Sequence, residues 1–216
     1  MKEYVVIGLG NFGYSIATKL ASKGHQVLAI DSDSERVDDI KDKVTDAIAA
    51  DVRNKRVLRE YIGKNVDAVI VSVGESMEAS ILATHYLKEL GIRHIIVKAI
   101  SDDHAKLLKI TGADEVIFPE KDMAAIIAQR LTTYNLLEHI PLTSDYSIVE
   151  IAVPDKFAGK TLKDIQLRVK YDVLVLAVKE ILMDKIYLMP DGNFKITPDC
   201  LLVLMGKSSV LNNLQF

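Results

Sequence analysis

The run YVVIGLGNFG, residues 4–13, constrains this chain more than any other stretch of it. An apolar segment leads directly into three glycines spaced G-x-G-x-x-G, and an amphipathic run follows. In that context Gly8 serves a tight turn from strand to helix. Gly10 lets backbone approach a phosphate, and Gly13 lets the helix pack close to the strand. The helix that follows would present unpaired N–H groups and a positive dipole end to an anion. Asp31 stands 23 residues after Gly8, at the end of the next apolar run, where a carboxylate accepts hydrogen bonds from ribose hydroxyls. A carboxylate there also repels a 2′-phosphate, so the motif favours NAD or an adenine mononucleotide over NADP.

The rest of the first 120 residues repeats this alternation. Apolar runs at Tyr4–Ile7, Val27–Ile30, Ala47–Ala50, Ala68–Val73, Ile95–Ala99 and Val116–Phe118 lack the polar/apolar alternation of one-sided strands. They read as strands buried on both faces. Helical spacing separates them: Phe12, Ile16 and Leu20 before Gly24; Val57, Leu58 and Ile62; Ile81, Leu82 and Leu90 before Gly91; Leu107 and Leu108 before Gly112. Ser32 with Glu35 predicts a capping box for the second helix. Six strands and five helices in alternation predict an α/β fold, a doubly wound parallel sheet of the Rossmann type. Ligand-facing positions on its carboxyl edge would be Asp51 and Val52 after the third strand, Ser72, Val73, Gly74 and Glu75 after the fourth, and Lys98 at the end of the fifth, with His104 beyond it. Asp51 reads equally as the N-cap of the third helix, Lys98 as a solvated lysine, and His104 as an exposed helical histidine.

Beyond Pro119 the pattern changes. Residues 120–139 keep an apolar stripe (Met123, Ile126, Ile127, Leu131, Leu137) and predict one long helix with two packing faces, one of them for a second subunit. Pro141–Asp145 read as a linker. The remainder predicts a small α+β domain: a strand at 147–153, a short helix capped by Thr161 and Asp164, and strands at 173–178, 186–188 and 201–205. The expected division is therefore 1–119, 120–140 and 141–216.

Composition closes off several functions. The net charge of −3 over 216 residues opposes a nucleic-acid surface. A single cysteine, Cys200, excludes a disulfide framework and fits a reducing cytoplasm. No run approaches the roughly 18 apolar residues that span a bilayer. Residues 142–216 contain no histidine, and their tyrosines and lysines show no catalytic spacing, so a nicotinamide-dependent oxidoreductase would lack its proton-transfer group.

Several segments carry a family resemblance: GLGNFGYSIATKL, LAIDSDSERV, VSVGES, LKELGI followed by IIVKA, GADEVIFPEKDMA, YSIVEI, LRVKYDVLVLAVK and DCLLVLMG. Over nearly the whole chain these resemble the RCK, or KTN, gating subunits of bacterial potassium transporters of the KtrA/TrkA type. FPEKDMA and LRVKYDV are the more specific matches, since neither is a general Rossmann feature.

The resemblance implies a nucleotide-sensing N-terminal domain, a crossover helix and a C-terminal RCK domain. It implies a homodimer assembling into an octameric ring at the inner face of the cell membrane, under a separate potassium-transporting subunit. ATP or ADP, or NAD(H), is the implied regulatory ligand, at Gly8, Gly10, Asn11, Phe12, Gly13, Asp31, Ser32, Asp33, Asp51, Val52, Val73, Gly74, Glu75, Lys98, Ala99, Ile100 and His104. Glu120 matches a carboxylate that joins a divalent cation. Leu162, Arg168, Leu174 and Pro190 match a cyclic di-AMP region. Two departures stand out: Asn11 replaces an arginine that reaches the γ-phosphate, and Lys163 stands where an apolar residue is usual.

Overall fold

The computed structural model describes residues 1–73, 76–132, 136–212 and 214. The chain divides into two compact units, Met1–Glu120 and Lys121–Phe216.

The first unit alternates strand and helix: β1 (Glu3–Ile7), α1 (Asn11–Ser22), β2 (Gln26–Asp31), α2 (Ser34–Ile40), β3 (Asp46–Ala49), α3 (Lys55–Tyr61), β4 (Ala68–Val71), α4 (Met77–Glu89), β5 (Ile95–Lys98), α5 (Asp102–Thr111) and β6 (Glu115–Ile117). Every strand pairing is parallel, in the order β3-β2-β1-β4-β5-β6. The chain winds outward in both directions from β1, as the alternating pattern predicts. The missing polar positions now have their reason. Successive residues of β1 feed opposite cores: Val5 and Ile7 join Leu58, Leu87 and Leu108 on one face, and Val6 joins Ala17 and Ile40 on the other. With both faces dry, a strand has no solvent side on which to carry polar residues.

Two local details differ from expectation. The second helix is capped by Asp33, whose carboxylate accepts from the Glu35 amide at 2.9 Å, and Ser32 lies exposed outside the cap. The third helix is capped by Asn54, not Asp51.

Helix α6 (Pro119–Thr132) precedes β7 (Leu136–Pro141) and β8 (Tyr146–Ala152). Then come α7 (Leu162–Ile165), α8 (Leu167–Tyr171), β9 (Leu174–Glu180), β10 (Lys185–Leu188), β11 (Cys200–Lys207) and α9 (Ser208–Leu211). The strands of this second unit form a five-stranded antiparallel sheet in the order β10-β9-β11-β8-β7. Thr161 and Asp164 form the predicted capping box. One sheet face packs Val149, Ile151, Val178, Leu202 and Leu204 with Ile165, Leu167 and Leu211, and Cys200 lies in this core.

The single long helix predicted for 120–139 is corrected. Its helical part ends at Thr132, and Leu136–Pro141 pair antiparallel with β8. Leu137 continues the helical spacing by coincidence; pairing with β8 overrides it, and a proline at 141 suits a strand end rather than a helix interior. Residues 141–145 are accordingly a hairpin connection and not a linker. The Leu142 amide donates to the Tyr146 carbonyl at 2.9 Å, and the Thr143 hydroxyl accepts from the amides of Asp145 and Tyr146.

Two glycines are fixed by this packing. Gly8 has φ +88°, and a Cβ there would come within 2.7 Å of the Ser72 carbonyl. A Cβ at Gly13 would overlap the Gly8 carbonyl oxygen, because α1 crosses against the end of β1. Gly13→Ala is expected to destabilise the first unit by about 1–3 kcal/mol through this overpacking. Urea denaturation checks it, with an unchanged midpoint as the contrary result.

Candidate functional site

The site is built at the carboxyl end of β1, between β2 and β4, where the direction of winding reverses and such sheets bind ligands. The Gly8 amide donates to the Ile30 carbonyl at 2.7 Å, tying the turn to β2. Asp31, at the end of β2 and 8% exposed, holds the turn from the other side. Its Oδ2 accepts from the Leu9 amide at 2.6 Å and its Oδ1 from the Asp33 amide at 2.9 Å. One carboxylate thus clamps the glycine turn and the β2–α2 turn together.

That clamp aims α1 outward. The first bond within the helix runs from the Tyr14 amide to the Gly10 carbonyl at 2.9 Å. The amides before it face the carboxyl edge of the sheet, as the first donors of any helix do. Among the described residues of α1 to α5, α1 alone lacks a side-chain cap; Asp33, Asn54, Ser76 and Ser101 cap the others. No acidic residue stands in its first turn. A Cβ at Gly10 would meet nothing within 4 Å, in contrast to Gly8 and Gly13. Folding therefore imposes no demand for glycine at this position. An uncapped, positively polarised helix end beside open space suits a phosphate.

A groove of about 450 Å³ opens here, lined by Leu9, Gly10, Asn11, Tyr14, Ser15, Arg36 and Asp39. Arg36 of α2, absent from the positions expected to face a ligand, also lines the groove. Its guanidinium lies 3.7 Å from the Asp31 carboxylate and 3.5 Å from that of Asp33, so a cation stands at the rim. Its place three residues after the capping Asp33 was the available signal. Asn11 is exposed beside it, while the Phe12 side chain packs into the core under α1.

The remaining predicted residues fall into three groups. Ser32 and Asp33 lie exposed on the β2–α2 turn. Asp51 follows β3 and is engaged by Arg53, whose backbone amide and guanidinium reach it at 2.7–3.0 Å and hold its carboxyl below the usual range. Val52 is buried in the core, and Val73 packs half-buried against the same core. Gly74 and Glu75 lie outside the described residues.

The third group sits at the end of β5. Lys98 is not the solvated lysine expected: its side chain is 16% exposed and it pairs with Glu120 at the start of α6. That hydrogen bond holds the Glu120 carboxyl below the usual glutamate range. Ala99 is buried and Ile100 is 52% exposed. Glu120 has an ammonium for a partner, and among the described residues no three His, Cys, Asp or Glu side chains come together to hold a metal.

His104 is likewise corrected. It is 0% exposed, not an exposed helical residue. The Ile100 amide donates to its Nδ1 at 3.3 Å, which leaves the proton on Nε2, 2.7 Å from the Ser80 hydroxyl oxygen. Ser80 in turn donates to the Met77 carbonyl at 2.9 Å.

In the second unit, Leu162 packs on the core, Arg168 and Leu174 are exposed, and Pro190 is half-buried. The amides of Leu162 and Lys163 donate to the carbonyls of Phe194 and Gly192, which sets the start of α7 against the segment following Pro190.

A doubly wound sheet with an uncapped glycine turn at its switch point defines a Rossmann-type nucleotide-binding domain. Comparison with known proteins narrows the class. The TrkA-N domain family matches residues 4–119 and the TrkA-C domain family residues 146–215. Ktr system potassium uptake protein C of Bacillus subtilis is 42% identical over 178 residues, covering 82% of this chain and 80% of that protein. Ktr system potassium uptake protein A of the same organism is 40% identical over 205 residues, covering 95% and 91%. Among solved structures, the GsuK RCK domain covers 97% of this chain with a TM-score of 0.67 at 20% identity. A GsuK channel bound to NAD gives 0.66 at 19%. This chain spans under half of either GsuK chain, 46% and 38%, and the likeness is one of fold. The chain belongs to the Ktr/Trk family of potassium uptake proteins.

Burial pushes the His104 imidazole below its ordinary value of 6.5. The unfolded chain therefore binds the extra proton first as pH falls. The stability that the neutral ring contributes is complete above about pH 6.5 and declines as pH drops toward the lowered folded value. His104→Gln is expected to lose less stability than the parent between pH 7.5 and 5.5 in thermal unfolding. Parallel losses in both proteins would contradict this.

Proposed function

We propose that this chain is the nucleotide-sensing gating subunit of a potassium uptake system, acting from the cytoplasmic face through a separate membrane subunit and catalysing no reaction. The observation that carries the reading is the uncapped start of α1, held open beside Asp31. Phosphates of an adenine nucleotide would rest on the first-turn amides. Asp31 spends one lone pair of each oxygen on the clamp and keeps the others for ribose hydroxyls. The names of the Bacillus relatives supply the potassium uptake context. Among the described residues no helix is long and apolar enough to cross a membrane, which is consistent with a partner doing so.

Signalling follows from differential affinity. A ligand that binds two shapes of an assembly unequally shifts the population between them, and equal affinity shifts nothing however tight the binding. The assembly proposed is a ring of four homodimers. In it, Glu120 carboxylates from two chains would together supply ligands to a divalent cation. A second chain would likewise complete a cyclic di-AMP site around Leu162, Arg168, Leu174 and Pro190. With Asn11 in place of a cation, ATP gains no γ-phosphate contact at that position, and ADP, ATP and NAD(H) compete for one site.

The alternative, a nicotinamide-dependent oxidoreductase, needs a group able to exchange a proton with substrate. His104, the histidine nearest the end of β5, is enclosed and already bonded through both ring nitrogens.

Calorimetric titration with ADP, ATP, NAD and NADH tests the reading. Gly10→Ala is expected to weaken binding by at least tenfold, about 1.4 kcal/mol, while the unfolding temperature stays within about 2 °C. Undiminished affinity in that variant would remove the start of α1 from the site. ATP binding within about threefold of ADP is expected, a gap of under 1 kcal/mol. A hundredfold preference for ATP would show that another cation replaces the missing arginine.

A further inference from the structure

Asp191–Gly192 is the one Asp–Gly pair in the sequence, and no Asn–Gly pair occurs. It lies in the turn between β10 and β11, where Asp191, Gly192 and Asn193 are all exposed. A glycine after an aspartate leaves the peptide nitrogen between them open to the side-chain carboxyl carbon, because no Cβ shields it. Folding does not ask for glycine here. Gly192 lies outside the left-handed region, and a Cβ on it would meet only the Lys163 Cβ, at an ordinary 3.5 Å.

The turn also presents the two reacting groups to each other. The Asp191 Oδ1 accepts from the Asn193 amide at 2.6 Å, which folds the carboxyl back along the Gly192 peptide. That oxygen takes up negative charge when a nitrogen adds to Cγ, so the Asn193 donor stands where an oxyanion would form. Among the described bonds the Gly192 amide donates to none, and its nitrogen is not held elsewhere. Asp31 is the opposite case: its carboxyl is buried, tied to the amides of Leu9 and Asp33, and followed by a serine.

We propose that Asp191–Gly192 is a site of spontaneous modification, isomerisation of aspartate to isoaspartate, which loosens the start of α7. The Gly192 nitrogen bonds to the Asp191 Cγ and gives up its proton. The Cγ–OH bond breaks, one water leaves, and a five-membered imide closes. Water then adds back. Opening the bond from Cγ to nitrogen restores aspartate. Opening the bond from nitrogen to the former main-chain carbonyl carbon leaves isoaspartate, with the backbone running through Cβ and Cγ. The water lost in the first step returns in the second, and nothing is oxidised or reduced. The consequence is local. The Gly192 carbonyl accepts from the Lys163 amide at 2.7 Å, and the Phe194 carbonyl from the Leu162 amide at 3.1 Å. A methylene added to the backbone just before Gly192 displaces these acceptors from the first two residues of α7.

Ageing the folded full chain for weeks in neutral buffer tests this. Peptides that differ in retention but not in mass, and that accept a methyl group from an isoaspartyl methyltransferase, report the product. Isoaspartate is expected at residue 191 at least fivefold above any other aspartate. Gly192→Ala should lower it at least fivefold while leaving the unfolding midpoint of fresh protein unchanged. Asp191→Glu, whose longer side chain would have to close a six-membered ring, should lower it as far. In the aged fraction, hydrogen exchange at the Leu162 and Lys163 amides should run at least fivefold faster than in fresh protein. Isoaspartate spread evenly over the aspartates, or undiminished in Gly192→Ala, overturns the site. Unchanged exchange at those two amides overturns the loosening of α7.

Discussion

The clamp made by Asp31 is the interaction on which the first unit's chemistry depends. A carboxylate buried at the end of β2 accepts the Leu9 and Asp33 amides, and each is a charge-assisted bond in a mostly dry environment. Without it, nothing but strand pairing and the Asp33 cap would be left among the described bonds to hold the glycine turn and the β2–α2 turn. With it, α1 begins at a fixed point and its first amides face outward. The same residue that a ligand would meet through its ribose is thus part of the frame that positions the phosphates. A nucleotide bound as proposed would be coupled to the geometry of both turns through this one side chain.

Much of this was legible in the sequence, and the reasons are local. G-x-G-x-x-G leading out of an apolar strand, with an acid at the next strand end, leaves few other structures open. The near-absence of polar residues in the strands announces a sheet covered on both faces. Thr161 and Asp164 announce their own capping box. What escaped depends on contacts distant in sequence. Leu136–Pro141 keep helical spacing and become a strand only because β8 offers an edge. His104 looks like any residue of a helix start until α4 is packed against it. Lys98 meets Glu120 across 22 residues, and Arg36 turns toward the groove because both Asp31 and Asp33 draw it there.

The ligand half of the site divides along the sheet. On the β2 side, Asp31, Arg36 and the start of α1 offer a carboxylate, a cation and unpaired amides to an adenosine phosphate. On the β5 side, Lys98, Glu120, Ile100 and the buried His104 form a second cluster tied to the first through the sheet itself. Both lie in the unit that matches the TrkA-N domain family, in a chain that belongs to a family of potassium uptake proteins.

Amide hydrogen exchange on the full chain, with and without saturating ADP, addresses the central claim most directly. The account predicts new protection concentrated in the amides of residues 9–13 and 31–34, at the start of α1 and the clamp that positions it. Protection absent from these two segments, or confined to the second unit, would contradict it.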